Sequence, residues 1–239
     1  AFIRFDNNEN VVMQNQTQAG NFSMSIMTLR TAFSDKIGGD TASVKSAVFN
    51  QFLANREVIA QRLNAQRGYI PGVGYTNAPV GTETEDGHGL TSTDVLIPAF
   101  LSAYAGIDAK DAELSAFPSV KWVRPNWRLT YNANPQQISW MTNLISSMNI
   151  THSYRSTYTV GQFTKNLDYT EGPDGYSWIR GELNDNLIPK FDITSVSIQE
   201  SFSPLINIDI LFTNSLSTRF DIKKTRTLNL SLANNQLTE

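Results

Sequence analysis

Asn207, Asp209, Arg219, Asp221 and Lys223 share one parity near the end of this 239-residue chain, and Ile206, Ile208, Ile210, Phe212, Phe220 and Ile222 hold the other. Successive side chains of a β-strand point to opposite faces, so this alternation describes a sheet with one charged, polar face and one apolar face. Upstream, Arg124 and Arg128 interleave with Val123, Trp127, Leu129 and Tyr131, and Arg155 stands on the polar parity among Ile150, His152, Tyr154, Tyr158 and Val160. These residue types suit the lining of a water-filled passage better than a reaction centre. Glu200, Asp209 and Asp221 lack the partner pattern of an acid–base pair and read as charges on a wall. An arginine facing lipid near the midplane of a barrel costs about 2–4 kcal/mol, so arginines on one parity imply that this face meets water.

The conventional sources of chemistry are absent from the sequence. The two histidines are His88 and His152. His88 lies in a Gly-rich loop near Glu83, Glu85 and Asp86, without the ligand spacing of a metal site. His152 occupies the apolar parity of a strand and reads as a structural or interfacial side chain. No Gly-x-Ser-x-Gly elbow occurs, no Ser-His-Asp set assembles, and Gly72-Val-Gly74 lacks the Lys-Ser/Thr of a phosphate loop. The expectation is no enzyme, no cofactor and no metal.

The elements that must position the alternating residues follow from period and punctuation. Strands are predicted at about 20–34, 120–132, 149–162, 191–202, 204–213 and 215–233. Lys224 and Arg226 fall on the apolar parity, so 223–227 is either a hairpin turn or part of one long strand. Pro125 cannot donate to a ladder and belongs at the start of its strand. In 20–34 the parity switches between Ile26 and Met27, which implies a bulge or departure from the sheet. The period changes to helical for about 43–67, capped by Thr41 or Ser43 and ended by Gly68, and for 94–105, with Pro98 in its first turn and Gly106 as its stop. These helices lie in a long insertion, 34–119, closed at its start by Gly38-Gly39-Asp40. Neither carries the run of about 20 apolar residues that a membrane span needs, and both need cover for their apolar stripes, from a rim or a partner protein. Residues 68–89 read as flexible, 140–148 as one or two helical turns, and 164–187 as a polar loop.

Composition agrees with strands diluted by alternation. Hydrophobic residues make up 40% and charged residues 17%, low in charge for a soluble domain. Nineteen basic and 22 acidic residues give a net charge of −3, which leaves no electrostatic footprint for nucleic acid. No run of 18 apolar residues exists, so a helical span is excluded. There is no cysteine, hence no disulfide and no thiolate site. The start at Ala1 and the end in mid-pattern lead us to expect a piece of a longer protein. Trp122, Trp127, Trp140, Tyr131, Tyr154 and Tyr158 stand near predicted strand ends, where barrels place aromatic girdles. The fold class expected is all-β dominated: a segment of a very large transmembrane antiparallel β-barrel with two short helical loop insertions. Arg124, Arg128, Arg155, Asn207, Asp209, Arg219 and Asp221 are expected to face the lumen. Val123, Trp127, Leu129, Ile206, Ile208, Ile210, Phe212, Phe220 and Ile222 are expected to face lipid. A soluble surface β-domain that binds a partner, or a porin or solute transporter, is the alternative.

Five ordered blocks add a resemblance. They are Asp94-Val-Leu-Ile-Pro-Ala-Phe-Leu-Ser-Ala-Tyr-Ala-Gly106, Pro125-Asn-Trp-Arg-Leu-Thr-Tyr131, Ile150-Thr-His-Ser-Tyr-Arg-Ser-Thr-Tyr158, Phe202-Ser-Pro-Leu-Ile206 and Leu228-Asn-Leu-Ser-Leu-Ala-Asn-Asn-Gln-Leu-Thr-Glu239. Together they resemble the C-terminal part of the barrel of the SprA/Sov family, the outer-membrane translocon of the type IX secretion system of Bacteroidota. The chain departs from the family at Asn207, where the family carries Gly; that change removes a possible backbone kink. The resemblance implies a protein-conducting channel exporting folded cargo that bears a C-terminal secretion domain, and gliding motility in some species. It also implies PorV-like and plug subunits, secreted cargo proteins and outer-membrane lipid as partners.

Overall fold

Four long or paired strands carry the two-residue period through the molecule. The structure, a computed structural model, describes residues 3–5, 11–13, 18–34, 46–78, 87–137, 141–181 and 186–239. Its elements in chain order are β1 (Ile3–Phe5), β2 (Val11–Met13), β3 (Ala19–Ser25), α1 (Ala47–Gln66), β4 (Tyr69–Ile70), β5 (Gly74–Tyr75), α2 (Thr93–Ala105), β6 (Trp127–Ala133), β7 (Ile145–Lys165), β8 (Phe191–Ile193), β9 (Ser195–Phe212), β10 (Ser217–Ser231) and β11 (Gln236–Thr238). The main antiparallel sheet runs β11-β10-β9-β7, and β3, β6 and β8 pair with β7. β1 with β2 and β4 with β5 form small hairpins. The chain is sheet-dominated, and the described residues do not close a barrel. β11 covers only Asn229 to Ser231 of β10, so among the described residues the outer edge of β10 is unpaired from Ser217 to Leu228.

β9 has two more residues than its neighbours at one place. Ile222 pairs with Ile206 and Lys224 with Phe202, which leaves Ser203, Pro204 and Leu205 opposite the single residue Lys223. The same shift appears against β7, between Thr151 and Arg155. Ser203–Pro204 is a cis peptide bond. A proline in mid-sequence reads as a strand break, which is why 191–202 and 204–213 looked like two strands. The bulge absorbs it instead. Residues 223–227 belong to one strand, not a hairpin turn.

Even-numbered residues of β7, β9 and β10 build one face in register. Val160, Val196 and Leu230 make one row, and Tyr158, Ile198 and Leu228 the next. All six are buried in a cluster with Met24, Phe52, Ile59, Val95 and Phe100. The helices therefore cover this end of the sheet, and the stripes that sequence left in need of cover are covered by the chain's own strands. α1 presents Val48, Phe52, Asn55, Ile59 and Leu63 at three- and four-residue spacing. Asn55 on that stripe donates to Ser102 Oγ of α2 at 2.8 Å. α2 is apolar nearly all round, with Val95 to Phe100 buried, as a helix packed on several sides must be.

Helix ends differ in detail from the expected ones. Ser46 caps α1, its hydroxyl accepting from Phe49 N; Thr41, Ser43 and the Gly38-Gly39-Asp40 turn lie outside the described residues. Pro98 stands in the second turn of α2, not the first. Gly106 closes α2 in the left-handed region at φ 67°, with Ile107 N reaching back to Ser102 O at 2.9 Å. β3 stops at Ser25 and the chain leaves the sheet, turning through Leu29–Thr31 as a short 3-10 helix. Val120–Trp122 is likewise a 3-10 turn, so the strand expected at 120–132 is Trp127–Ala133. Met141 to Leu144 turn directly into β7, which starts at Ile145 where helical turns were expected. The stretch 68–89 contains the β4–β5 hairpin.

Two buried polar clusters lock the layers. Arg226 and Glu200 are cross-strand partners under the 28–31 turn, and the guanidinium lies 3.0 Å from Glu200 Oε2. The contact is an ion pair off hydrogen-bond geometry, since Oε2 accepts no directed bond. Glu200 Oε1 accepts from Thr28 Oγ1 at 2.6 Å and from the Tyr154 hydroxyl at 3.1 Å. Arg226 donates to Thr31 O at 2.7 Å. Lys224, the other cation on the apolar parity, lies over the Phe33 ring at 4.2 Å. In the second cluster, Arg67 at the end of α1 pairs with Asp174 at 2.9 Å. Its guanidinium stacks on Trp178 and Tyr75 at 4.3 and 4.6 Å, which ties α1 to the 169–188 segment.

Removing one member of a buried pair strands the other charge, at about 3–5 kcal/mol. Glu200→Ala should lower unfolding stability in detergent by that order, whereas Glu200→Met together with Arg226→Met should cost less than the single change. Burial lifts the Asp94 carboxyl, in the first turn of α2, to about 6, against the opposing pull of Arg67. Folding then favours its protonated form, so its stabilising contribution is complete below about pH 4 and lost as pH rises through 6. Asp94→Asn should raise the unfolding midpoint above pH 6 and leave it unchanged near pH 4. A gain equal at both pH values would assign the effect to packing.

Candidate functional site

Beyond the β9 bulge the same sheet continues with no covering layer among the described residues, and its two faces separate by chemistry. On the even face of β7, β9 and β10, Tyr131, Ile150, Ile208 and Phe220 form one continuous cross-strand row. Leu129, Tyr131 and Phe220 are 61%, 64% and 52% exposed. Ile206, Ile210, Phe212 and Ile222 extend the band, and Leu129 pairs with His152 at its edge. A contiguous apolar patch across four strands marks an interaction surface. Ile206 to Phe212 spans roughly 20 Å along the strand at about 3.4 Å per residue. A tilt of about 40° reduces its height to roughly 16 Å, about two thirds of the ~25 Å band of an outer-membrane barrel.

The opposite face is polar. Thr130, Thr151, Asn207 and Asp221 stand in one row, and Asn132, Asn149, Asp209 and Arg219 in the next. All of these but Asn132 line a concavity of about 540 Å³ together with Arg128, Ser203 and Lys223. Arg219 pairs with Asp209 at 3.4 Å, and Lys223 with Asp221 at 3.1 Å. These exposed pairs contribute little to stability and leave the surface mixed in sign. Asn207 is buried within this network. Oriented with its nitrogen toward Asp209, its amide donates to Oδ2 at 2.8 Å and accepts from Arg219 Nε at 3.1 Å. The bulge lies at Ser203–Leu205, and pairing with β10 resumes at Ile206, one residue before Asn207. Arg155 and Arg128 line an adjoining hollow with Ser153, Ser201 and Ser203. Further along, Thr157, Thr159, Ser197, Gln199, Thr227 and Asn229 hold the same parity, so this face is polar along most of its length, with Leu211 the apolar exception near one end.

Some expected positions fall elsewhere. Arg124 precedes β6 and lines an apolar groove beside α2 instead of the polar face. Val123 follows the 3-10 turn and belongs to no strand. Glu200 lies on the even face and is 1% exposed, so it is a buried lock and not a wall charge. Tyr154 and Tyr158 are core residues, not girdle residues. The Tyr158 hydroxyl donates to Ala116 O at 2.9 Å. Trp127 packs on Tyr154 with ring centres 4.5 Å apart, and Trp122 lies against the helical core; Trp140 is outside the described residues. His152 Nδ1 is 2.6 Å from Leu205 O, a distance at which it must carry the proton and donate. The polar partners Asn132 and Asn149 were not singled out from sequence, although the same parity rule points to them.

His88 is buried with Nε2 3.4 Å from Arg67 Nη1. Burial first, and then the Arg67 charge, push its pKa down to about 3. Glu83, Glu85 and Asp86 lie outside the described residues. Among the described residues no group of three His, Asp or Glu is placed to hold a metal ion. No helix among them is long and apolar enough to cross a membrane, which says nothing of strands. No protein-family model matches the chain, and no curated protein matches it.

Single cysteines at Ile208, Ile210 and Phe220 should react with membrane-soluble maleimides in intact membranes. Cysteines at Asp209, Arg219 and Asp221 should react with charged aqueous ones. Equal aqueous labelling of both sets would make the apolar band a water-exposed or protein-covered surface.

Proposed function

We propose that this chain forms part of the wall of a large outer-membrane β-barrel that conducts proteins. The observation that carries the reading is the opposition of faces on the same strands: an uncovered apolar band backed by a polar, mixed-charge face. A strand that separates lipid from a water-filled lumen needs this combination, and every backbone group within the bilayer then needs a strand partner. In this reading the open edge of β10 is completed by a further strand of the wall. The helix-covered half stands beyond the hydrocarbon except at its margin with the band, because loop backbone without partners cannot be exposed to the bilayer core.

The nature of the cargo follows from the polar face and from the family resemblance. Arg128, Arg155, Arg219 and Lys223 are interleaved with Asp209 and Asp221 among serines, threonines and asparagines. Selective solute pores concentrate one sign of charge or narrow to a constriction. A wall of mixed sign and many hydroxyls holds no single side chain strongly, which suits varied protein cargo. On the resemblance to the type IX translocon family, that cargo is folded protein with a C-terminal secretion domain. The partners are then PorV-like and plug subunits, in the outer membrane of a Bacteroidota bacterium.

Deleting residues 191–239 from the full-length protein removes β8 to β11 and opens the wall. Export of cargo bearing the C-terminal secretion domain should then stop, while small-solute uptake continues. Secretion that persists while nutrient uptake fails would replace this reading with that of a solute transporter.

A further inference from the structure

An apolar groove of about 260 Å³ lies between the end of β3 and α2, on the same side of the sheet as the apolar band. Met24, Ile26, Met27, Pro98, Leu101 and Trp122 line it. The groove is next to the band along the chain. Arg124 donates its backbone N–H to Ser25 O at 3.1 Å, and three residues later Trp127 begins β6.

Two arginines, Arg30 and Arg124, belong to the groove lining. Arg30 Nη1 donates to Gly106 O at 2.6 Å, and Arg124 Nη1 to Lys121 O and Val123 O at 2.8 and 3.1 Å. Backbone carbonyls hold both guanidinium groups in place and leave their charge unneutralised. Among the described residues neither arginine meets a carboxylate at ion-pair distance. Glu113, the acidic residue on the lining, is turned to the amide of Ser119 at 2.9 Å. The result is a hydrocarbon-lined slot carrying net positive charge at the margin of the band.

We propose that this groove holds one acyl chain of a membrane lipid, with the lipid's phosphate received by Arg30 and Arg124. Guanidinium groups match phosphate oxygens in charge and geometry. Long basic side chains beside an apolar surface place their heads at headgroup depth. The bound lipid extends the apolar band toward the helical layer, where the band alone falls short of a full bilayer height. The assignment rests on the membrane reading of the sheet.

The test uses the full-length protein in phosphatidylcholine nanodiscs doped with either phosphatidic acid or phosphatidylcholine carrying a diazirine in its acyl chain. The phosphatidic acid probe should label residues 24–30 and 98–107 several-fold more than the zwitterionic probe, and both should label the band around Leu129 and Phe220 alike. Arg30→Gln with Arg124→Gln should reduce groove labelling to the zwitterionic level and leave the band unchanged. Leu101→Trp, which fills the groove and keeps both charges, should reduce groove labelling by both probes. Band labelling without groove labelling overturns the lipid site and leaves the membrane reading standing. Absence of label from both overturns the membrane reading itself. Equal groove labelling by the two probes, unaffected by the arginine changes, reduces the groove to part of the general lipid annulus.

Discussion

The bulge in β9 inserts two residues, and that number governs the rest of the sheet. Side chains on a strand alternate with a period of two, so one extra residue would send every later side chain to the opposite face. Ile206, Ile208 and Ile210 would then have joined Arg128 and Arg155, and Asp209 would have stood in the apolar band. With two extra residues, Val196 and Ile198 share a face with Ile208 and Ile210 on either side of an irregularity. β9 thereby passes its bulge with the same parity on each face.

One face can therefore serve two surroundings. At one end its apolar residues meet α2 and α1, as in any two-layer domain. At the other end the same parity meets no part of the described chain. The row Ser156, Glu200, Arg226 lies between the two regimes. A charge pair there would be costly against hydrocarbon, and it is roofed by Thr28, Thr31 and Tyr154. The polar row thus separates protein-covered surface from open surface, and satisfying it requires the turn that follows β3 to fold over the sheet.

Much of this was legible from parity. The polar and apolar sets of β9 and β10 stand on the faces their spacing implied, and both helices lie near the expected boundaries because Gly68 and Gly106 stop them. Three things were hidden, each for a physical reason. Pro204 signals a break in any local reading, and only pairing with β7 and β10 reveals a bulge instead. Glu200 and Arg226 are separated by 25 intervening residues, so their mutual neutralisation is a property of register and not of either local sequence. Tyr154 and Tyr158 have the amphipathic character of interfacial residues, but what buries them, the turn after β3 for Tyr154 and the helical layer for Tyr158, comes from distant parts of the chain. Arg124 was misplaced because alternation continues by chance through Val123 and Pro125, residues that precede the strand.

The open edge of β10 carries a further consequence, in the life of the chain before it reaches its final setting. Among the described residues, a row of backbone donors and acceptors from Ser217 to Leu228 is free to pair, flanked on one side by exposed Phe220 and Ile222. Such an edge accepts a strand from any source, another copy of the same chain included. Lys223, Lys224 and Arg226 discourage a flat stack of identical edges by like-charge repulsion, but the stretch from Ser217 to Ile222 contains one cation and one anion and has little such protection. A newly made chain is thus most at risk of self-templated aggregation at this strand. On the barrel reading proposed above, this short segment must stay screened until its neighbouring strand arrives.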